Sequence, residues 1–306
     1  MKPLRVFKGS SGLNTRDPVD REFNPDRGVH GLAQAVNVDV ESTGRVSRRG
    51  CIKSTVLTGS YHSLFAYDEI CLVVKGTSLY LVSESLGETA LRADLRPGER
   101  MSYVWVDGAV YYTNGYQNGV VKNGVDNTWT AVTYVGPTTS KVLDSPPLGH
   151  LVTYFRARIY IAVGDYVVVS EPFNYTVFRA GYNYDLHPSR VTMLRGLDDG
   201  LVLSNGSGLY FYKGNDYQDF NKMDVAPLSV VEGSDILVQR HVVGLPGKGE
   251  VLLFAAVSHA EKETYLCMLE GNGEYLNLTA NRVDMPHTML GASVLLGEQF
   301  ICSLQA

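Results

Sequence analysis

Cysteine is scarce. Cys51, Cys71, Cys267 and Cys302 are the only four in 306 residues, and none stands close enough to another to form the CxxC pairs of zinc or redox sites. Cys71 and Cys267 lie in apolar runs and read as buried free thiols, which suits assembly in a reducing cytoplasm. Long hydrophobic runs are missing too, so no segment approaches the ~20 residues of a membrane-spanning helix. The opening MKPLRVFKGSSGL lacks the apolar stretch of a signal peptide, and the sequons at Asn174, Asn205 and Asn277 would matter only in a secretory pathway. No segment repeats apolar residues at helical spacing, and this excludes a helical architecture. The net charge of −5 excludes a global electrostatic grip on nucleic acid.

Catalytic and metal-binding patterns are equally sparse. The seven histidines, His30, His62, His150, His187, His241, His259 and His287, include no HExxH and no paired spacing. There is no GxSxG elbow and no Walker loop. Gly244 to Gly249, GLPGKG, has a Gly-Lys step without the spacing of a phosphate loop and reads as a hairpin turn. Asp216, Asp219, Asn221 and Asp224 gather oxygens without the alternation, central glycine and final glutamate of an EF-hand, so they read as a polar turn. No cofactor, no metal and no enzymatic activity are expected.

What the chain has is strand. Apolar residues make up 44% and charged residues 19%, with 19 tyrosines and 31 glycines, a composition suited to strands joined by tight turns. One unit recurs: an apolar strand, a turn, a second apolar strand. Its instances are Ile70–Val74 with Ser78–Val82, Ala109–Thr113 with Gly119–Lys122, Arg158–Ala162 with Tyr166–Val169, Gly200–Ser204 with Gly208–Tyr212, and Val251–Ala255 with Thr264–Met268. A last strand, Gln299–Ser303, reads as having no partner. Weaker outer strands are expected at Thr89–Leu91, Thr130–Val132 and Tyr275–Leu278. The starts recur at roughly 40–50 residues, the length of a four-stranded propeller blade. Hairpins apolar on both faces need sheets stacked on either side. The expected fold is all-β, a β-propeller of about six four-stranded blades.

Residues 1–31 are turn-rich and read as an extended N-terminal arm, followed by a propeller over 32–306. Residues 136–149, GPTTSKVLDSPPLG, read as a linker. Within 32–53, Val36, Val38 and Val40 alternate with polar residues, a turn at Glu41–Gly44 follows, and Arg45–Arg48 returns: a β-hairpin. A ring with an open edge invites aggregation, so this hairpin is expected to pair with Gln299–Ser303 and complete the last blade. Arg45, Arg48, Arg49 and Lys53 make the one basic cluster, a candidate contact for an acidic partner or for DNA.

The opening residues also carry a resemblance. Gly12-Leu13-Asn14-Thr15-Arg16, then Ala35 to Val40, AVNVDV, then Gly44 to Gly50, GRVSRRG, resemble the start of the tail nozzle proteins of short-tailed phages, also called packaged-DNA stabilisation proteins, and of their β-propeller relatives. The chain is shorter than the family's usual members, which implies that their large loop insertions are missing. The resemblance implies a structural virion protein of the tail, assembled in the bacterial cytoplasm. It implies a ring homo-oligomer, a hexamer, that joins portal and adaptor proteins to fibres or spikes and helps retain packaged DNA through transient contact with it. Phe173, Tyr175, Phe178, Tyr182 and Tyr184 are the aromatic candidates for its interfaces. The competing expectation is a carbohydrate-binding or glycan-degrading propeller at a fibre tip. Asp126-Asn-Thr-Trp129 approaches the sialidase turn motif once, without its glycine.

Overall fold

The computed structural model describes residues 10–13, 23–24, 29–32, 38–40, 46–48, 59–131, 145–179, 184–279, 283, 285, 287–296 and 299–305. Among them the regular structure is strand throughout, apart from one 3-10 turn at Arg240–Val243.

Five antiparallel sheets follow one another along the chain. Blade one holds Tyr61–Tyr67, Ile70–Lys75, Ser78–Val82 and Glu88–Arg92. Blade two holds Ser102–Val106, Ala109–Thr113, Asn118–Lys122 and Val125–Asn127. Blade three holds Leu151–Phe155, Arg158–Val163, Tyr166–Glu171 and Asn174–Phe178, with Tyr184–Leu186 added beside the third strand. Blade four holds Val191–Leu197, Gly200–Asn205, Gly208–Lys213 and Asn221–Ala226. In blade five the first strand is split into Leu228–Val230 and Ile236–Gln239, both paired to Glu250–Ser258, with Thr264–Glu270 and Tyr275–Asn277 beyond. A hairpin of Leu290–Leu296 and Gln299–Gln305 follows.

Within each blade the strands pair largely in chain order, because short connections join them, several of only two residues. Asn123 and Gly124 show why: both have positive φ, 52° and 74°, the backbone of the tight hairpin turn that an Asn-Gly pair favours. The first strands of consecutive blades adjoin one another, which makes them the inner wall of a propeller.

The core lies between blades rather than within any one. Leu72, Val74 and Leu79 of blade one pack on Tyr103, Val110 and Tyr112 of blade two. Ile159 and Ile161 face blade two, while Tyr160 and Ala162 face blade four. A strand buried on both faces has no polar side to show, and this is why Ile159–Val163 reads as one continuous apolar run. A hydroxyl closes each of the four junctions between the five blades. Ser63 Oγ accepts from the Met101 amide at 2.9 Å and Ser102 Oγ from Val152 at 2.9 Å. Thr153 Oγ1 accepts from Gly196 at 3.2 Å and Ser204 Oγ from Val230 at 3.0 Å.

Several expectations need correction. The last strand is not unpartnered: Leu290–Leu296 runs antiparallel to it, from Leu290 opposite Gln305 to Leu296 opposite Gln299. The hairpin at 38–48 exists, with Val38 opposite Arg48 and Val40 opposite Val46. Among the described residues, though, it pairs only with itself and not with Gln299–Ser303. Gly44 and the turn around it lie outside the described residues. The arm over 1–31 is not merely extended, since Ser10–Leu13, Val29–Leu32 and Phe23–Asn24 form a small sheet. The outer strand of blade two is Val125–Asn127, because the Asn-Gly turn sends the chain straight back along Val120 to Lys122; of the strand expected at Thr130–Val132, Thr130 and Ala131 are outside any strand and Val132 lies outside the described residues. Of the linker at 136–149, residues 145–149 are described and lie against blade two, where Pro146 O accepts from Asn118 Nδ2 at 3.2 Å.

Candidate functional site

Three polar constellations stand out. The first lies on the propeller axis. The split first strand of blade five throws out a bulge, Val231 to Asp235, which Ser234 ties down: its Oγ donates to the Val231 carbonyl at 2.8 Å and accepts from the Ala255 amide at 2.9 Å. Arg100, two residues before blade two's inner strand, reaches across to this bulge. It donates to Glu232 O at 3.3 Å, Gly233 O at 3.0 Å and Gly291 O at 2.7 Å. Arg195 Nε donates to Asp235 Oδ2 at 2.5 Å, and Arg190 Nη2 stands 3.5 Å from Glu232 Oε1. His150 completes the group. Its Nε2 lies 2.7 Å from the Val191 carbonyl, so that nitrogen carries the proton, and burial pulls its pKa below the ordinary histidine value. The arginines are committed to carbonyls and carboxylates, so the group ties blades two, four and five and the C-terminal hairpin together at the axis.

The second constellation lies between blades three and four. His187 is 4% exposed. Its Nε2 stands 3.3 Å from Asp185 Oδ2, and its ring meets Tyr212 edge-on at 6.2 Å. Burial lowers the His187 pKa and raises that of the Tyr212 phenol, so both groups are neutral at pH 7.

The third is a recess of about 390 Å³ between blades one and two, lined by Arg92, Asp94, Tyr116, Gln117, Asn118, Asp126, Thr128 and Leu148. Arg92 organises it. It is paired to Asp94 through Nε at 2.5 Å and Nη2 at 3.1 Å, and its Nη1 donates to Tyr112 Oη at 3.1 Å and to the Asn118 carbonyl at 2.9 Å. The Tyr112 hydroxyl donates onward to Asp126 Oδ1 at 2.8 Å. Tyr112 lies across Gly119, its partner in the ladder, where any Cβ would strike the phenol ring. Arg92 holds the Asp94 pKa below the usual carboxylate value, while burial raises that of Asp126.

The residues singled out from sequence do not converge. Phe173 is 75% and Tyr184 52% exposed, and both remain available to a partner. Tyr175 and Phe178 are buried between blades, so they are not surface interface residues. Tyr175 meets Tyr111 and Tyr154 edge-on, and Phe178 packs against Trp129. Tyr182, Arg45, Arg49 and Lys53 lie outside the described residues, and Arg48 ends the second strand of the N-terminal hairpin. Asp126 and Trp129 part company: Asp126 lines the recess, whereas Trp129 is buried and donates to the Tyr175 carbonyl at 2.9 Å. Asp216 is taken by Arg158 at 2.9 Å. The Cys267 thiol is buried, which pushes its pKa up to about 12 and leaves it inert. Among the described residues no group of three or more His, Cys, Asp or Glu could hold a metal ion. Sequence reading missed Arg100, Arg195 and Asp235; the Gly233-Ser234 step inside a strand pattern is the one local sign of their bulge.

No protein-family model matches the chain, and no curated protein matches it. Solved structures do. BBS1N, from a complex with ARL6DN, aligns with a TM-score of 0.51 at 11% identity, over 87% of this chain and 82% of that one. The extracellular domain of a one-component system from B. thetaiotaomicron aligns with a TM-score of 0.51 at 11% identity over 80% of this chain; the chain spans only 31% of that longer protein. The Neurospora crassa Pan2 WD40 domain aligns at 10% identity over 76% of this chain and 69% of that one, with a TM-score of 0.44. At such identities the likeness concerns architecture alone, and that architecture is the β-propeller.

Proposed function

We propose that this chain is a structural, non-enzymatic component of a phage tail, a nozzle-like ring subunit. The observation that carries the reading is the order of parts: the pattern Gly12–Arg16, Ala35–Val40 and Gly44–Gly50 stands in front of a β-propeller, as in the tail nozzle proteins it resembles. The axial group supports it. With Arg100 tied to the bulge and to Gly291, the blades of one copy behave as a rigid body rather than as an open conduit. A channel then forms between copies, around the symmetry axis of a closed ring. A hexamer is the expected ring. Portal and adaptor proteins lie on one side and fibres or spikes on the other, with packaged DNA in contact. Exposed Phe173 and Tyr184 are the aromatic anchors nearest to hand for such contacts.

Cryo-electron microscopy of virions whose genome encodes this chain tests the reading. A ring of its propellers on the tail axis is expected. Density at a fibre tip, or a virion that lacks the chain, overturns it.

A further inference from the structure

The recess between blades one and two has a chemistry that the ring reading does not use. Its floor is rigid, because Arg92 is held by Asp94, Tyr112 and the Asn118 carbonyl at once. The Asn114 side chain builds its rim by accepting from the amides of Tyr116 at 2.9 Å and Gln117 at 2.6 Å. The Arg96 guanidinium lies 3.7 Å over the Tyr116 ring and steadies it, yet the tyrosine is still 45% exposed. Leu148, 49% exposed, gives a second apolar surface.

The polar groups decide the ligand class. Arg92 is neutralised by Asp94, so Asp126 leaves the recess with a surplus of negative charge, which disfavours anions. Carboxylate, amide and hydroxyl groups at Asp126, Asn118 and Thr128 stand beside an aromatic ring. Asp126 Oδ1 already accepts from Tyr112, so its Oδ2 is the acceptor left for a sugar hydroxyl, and the C–H face of the sugar ring matches tyrosine. About 390 Å³ lies at the small end of ligand pockets, which run from roughly 300 to 1,000 Å³, and suits one or two sugar rings.

We propose that this recess binds a neutral pyranose, with Tyr116 as the stacking platform and Asp126 as the principal hydroxyl acceptor. The proposal does not depend on the ring reading, and failure of either leaves the other standing. The test titrates the intact chain with methyl glucoside, methyl galactoside, methyl mannoside and N-acetylglucosamine, followed by saturation-transfer NMR and calorimetry. Saturable binding of at least one is expected, at Kd of about 0.1–10 mM. Tyr116→Ala and Thr128→Val each weaken it by about 5-fold or more, and Asp126→Asn by about 10-fold. Phe173→Ala, remote from the recess, leaves it unchanged. N-acetylneuraminic acid binds more weakly than the neutral sugars. Circular dichroism checks that each variant is folded; Tyr116 is a surface residue, so its variant serves even if Asp126→Asn unfolds. Absence of saturable binding by all four sugars up to about 50 mM, or binding that Tyr116→Ala and Thr128→Val leave untouched, overturns the proposal.

Discussion

Arg100 crosses the propeller axis to Gly233, and it is there because Gly233 has no side chain. A Cβ at Gly233 would overlap the guanidinium, and the backbone there has a φ of +84°, which side chains resist. Gly233→Ala therefore carries two costs, strain at φ and expulsion of Arg100 from three carbonyls. The expected loss is about 2–4 kcal/mol of unfolding free energy in a urea titration. Arg100→Ala leaves φ unaffected and should cost less, about 1–2 kcal/mol, because solvent still reaches that side chain. Equal losses in the two variants would show that Arg100 accounts for the whole effect and φ for none.

Ser204 is the most demanding of the four bridging hydroxyls. It is fully buried, accepts from the Val230 amide and donates to the Gly208 carbonyl at 3.1 Å. Ser204→Ala strands the Val230 amide between blades four and five, and about 1–3 kcal/mol should be lost. Ser63→Ala, at a less enclosed junction, should lose less. Thermal unfolding of the two variants side by side checks the order.

Acid should destabilise the fold through its histidines. Burial lowers the pKa of His62, His150 and His187 from the ordinary 6.5. A histidine depressed in the folded state contributes stability that is present above its unfolded pKa. That stability is lost as pH falls below 6.5 and through the folded value, since the unfolded chain then binds more protons. At His187 the charges of Asp185 and Asp165 oppose burial, while Lys222 adds to it. His187→Gln should flatten the slope of stability against pH between about pH 6.5 and 5. An unchanged slope would remove His187 from the account.

How much of this could be read from the chain follows from burial. The middle strands of every blade were legible, since burial on both faces leaves uninterrupted apolar runs such as Leu201–Leu203 and Val251–Ala256. The inner strands were less so. In Tyr61–Tyr67 and Val191–Leu197, polar residues break the pattern, Ser63 among them at a junction. The axial group was not legible at all. Arg100 and Gly291 are 191 positions apart, and no local motif records a meeting that only the curvature of the ring brings about. In the recess, Asp126 drew notice through a motif that it does not serve.

The C-terminal hairpin makes the remaining prediction. One of its faces sends Leu295 and Phe300 onto blade five. Its other face leaves Leu290, Val294 and Ile301 at 53%, 41% and 36% exposed, and in blade one Leu64 is 61% and Tyr67 49% exposed. A two-stranded sheet with one apolar face open to water is marginal by itself, and its free edges invite other chains. Among the described residues no further strand pairs with either edge of this hairpin. The intact chain is therefore expected to self-associate, with light scattering rising at micromolar concentration. Substituting Val294 and Ile301 by threonine should lower that scattering and leave the melting temperature nearly unchanged, because it removes the sticky surface and not the packing of Leu295 and Phe300 on blade five. Scattering that the two threonines leave unchanged would show that this face is not the one that associates.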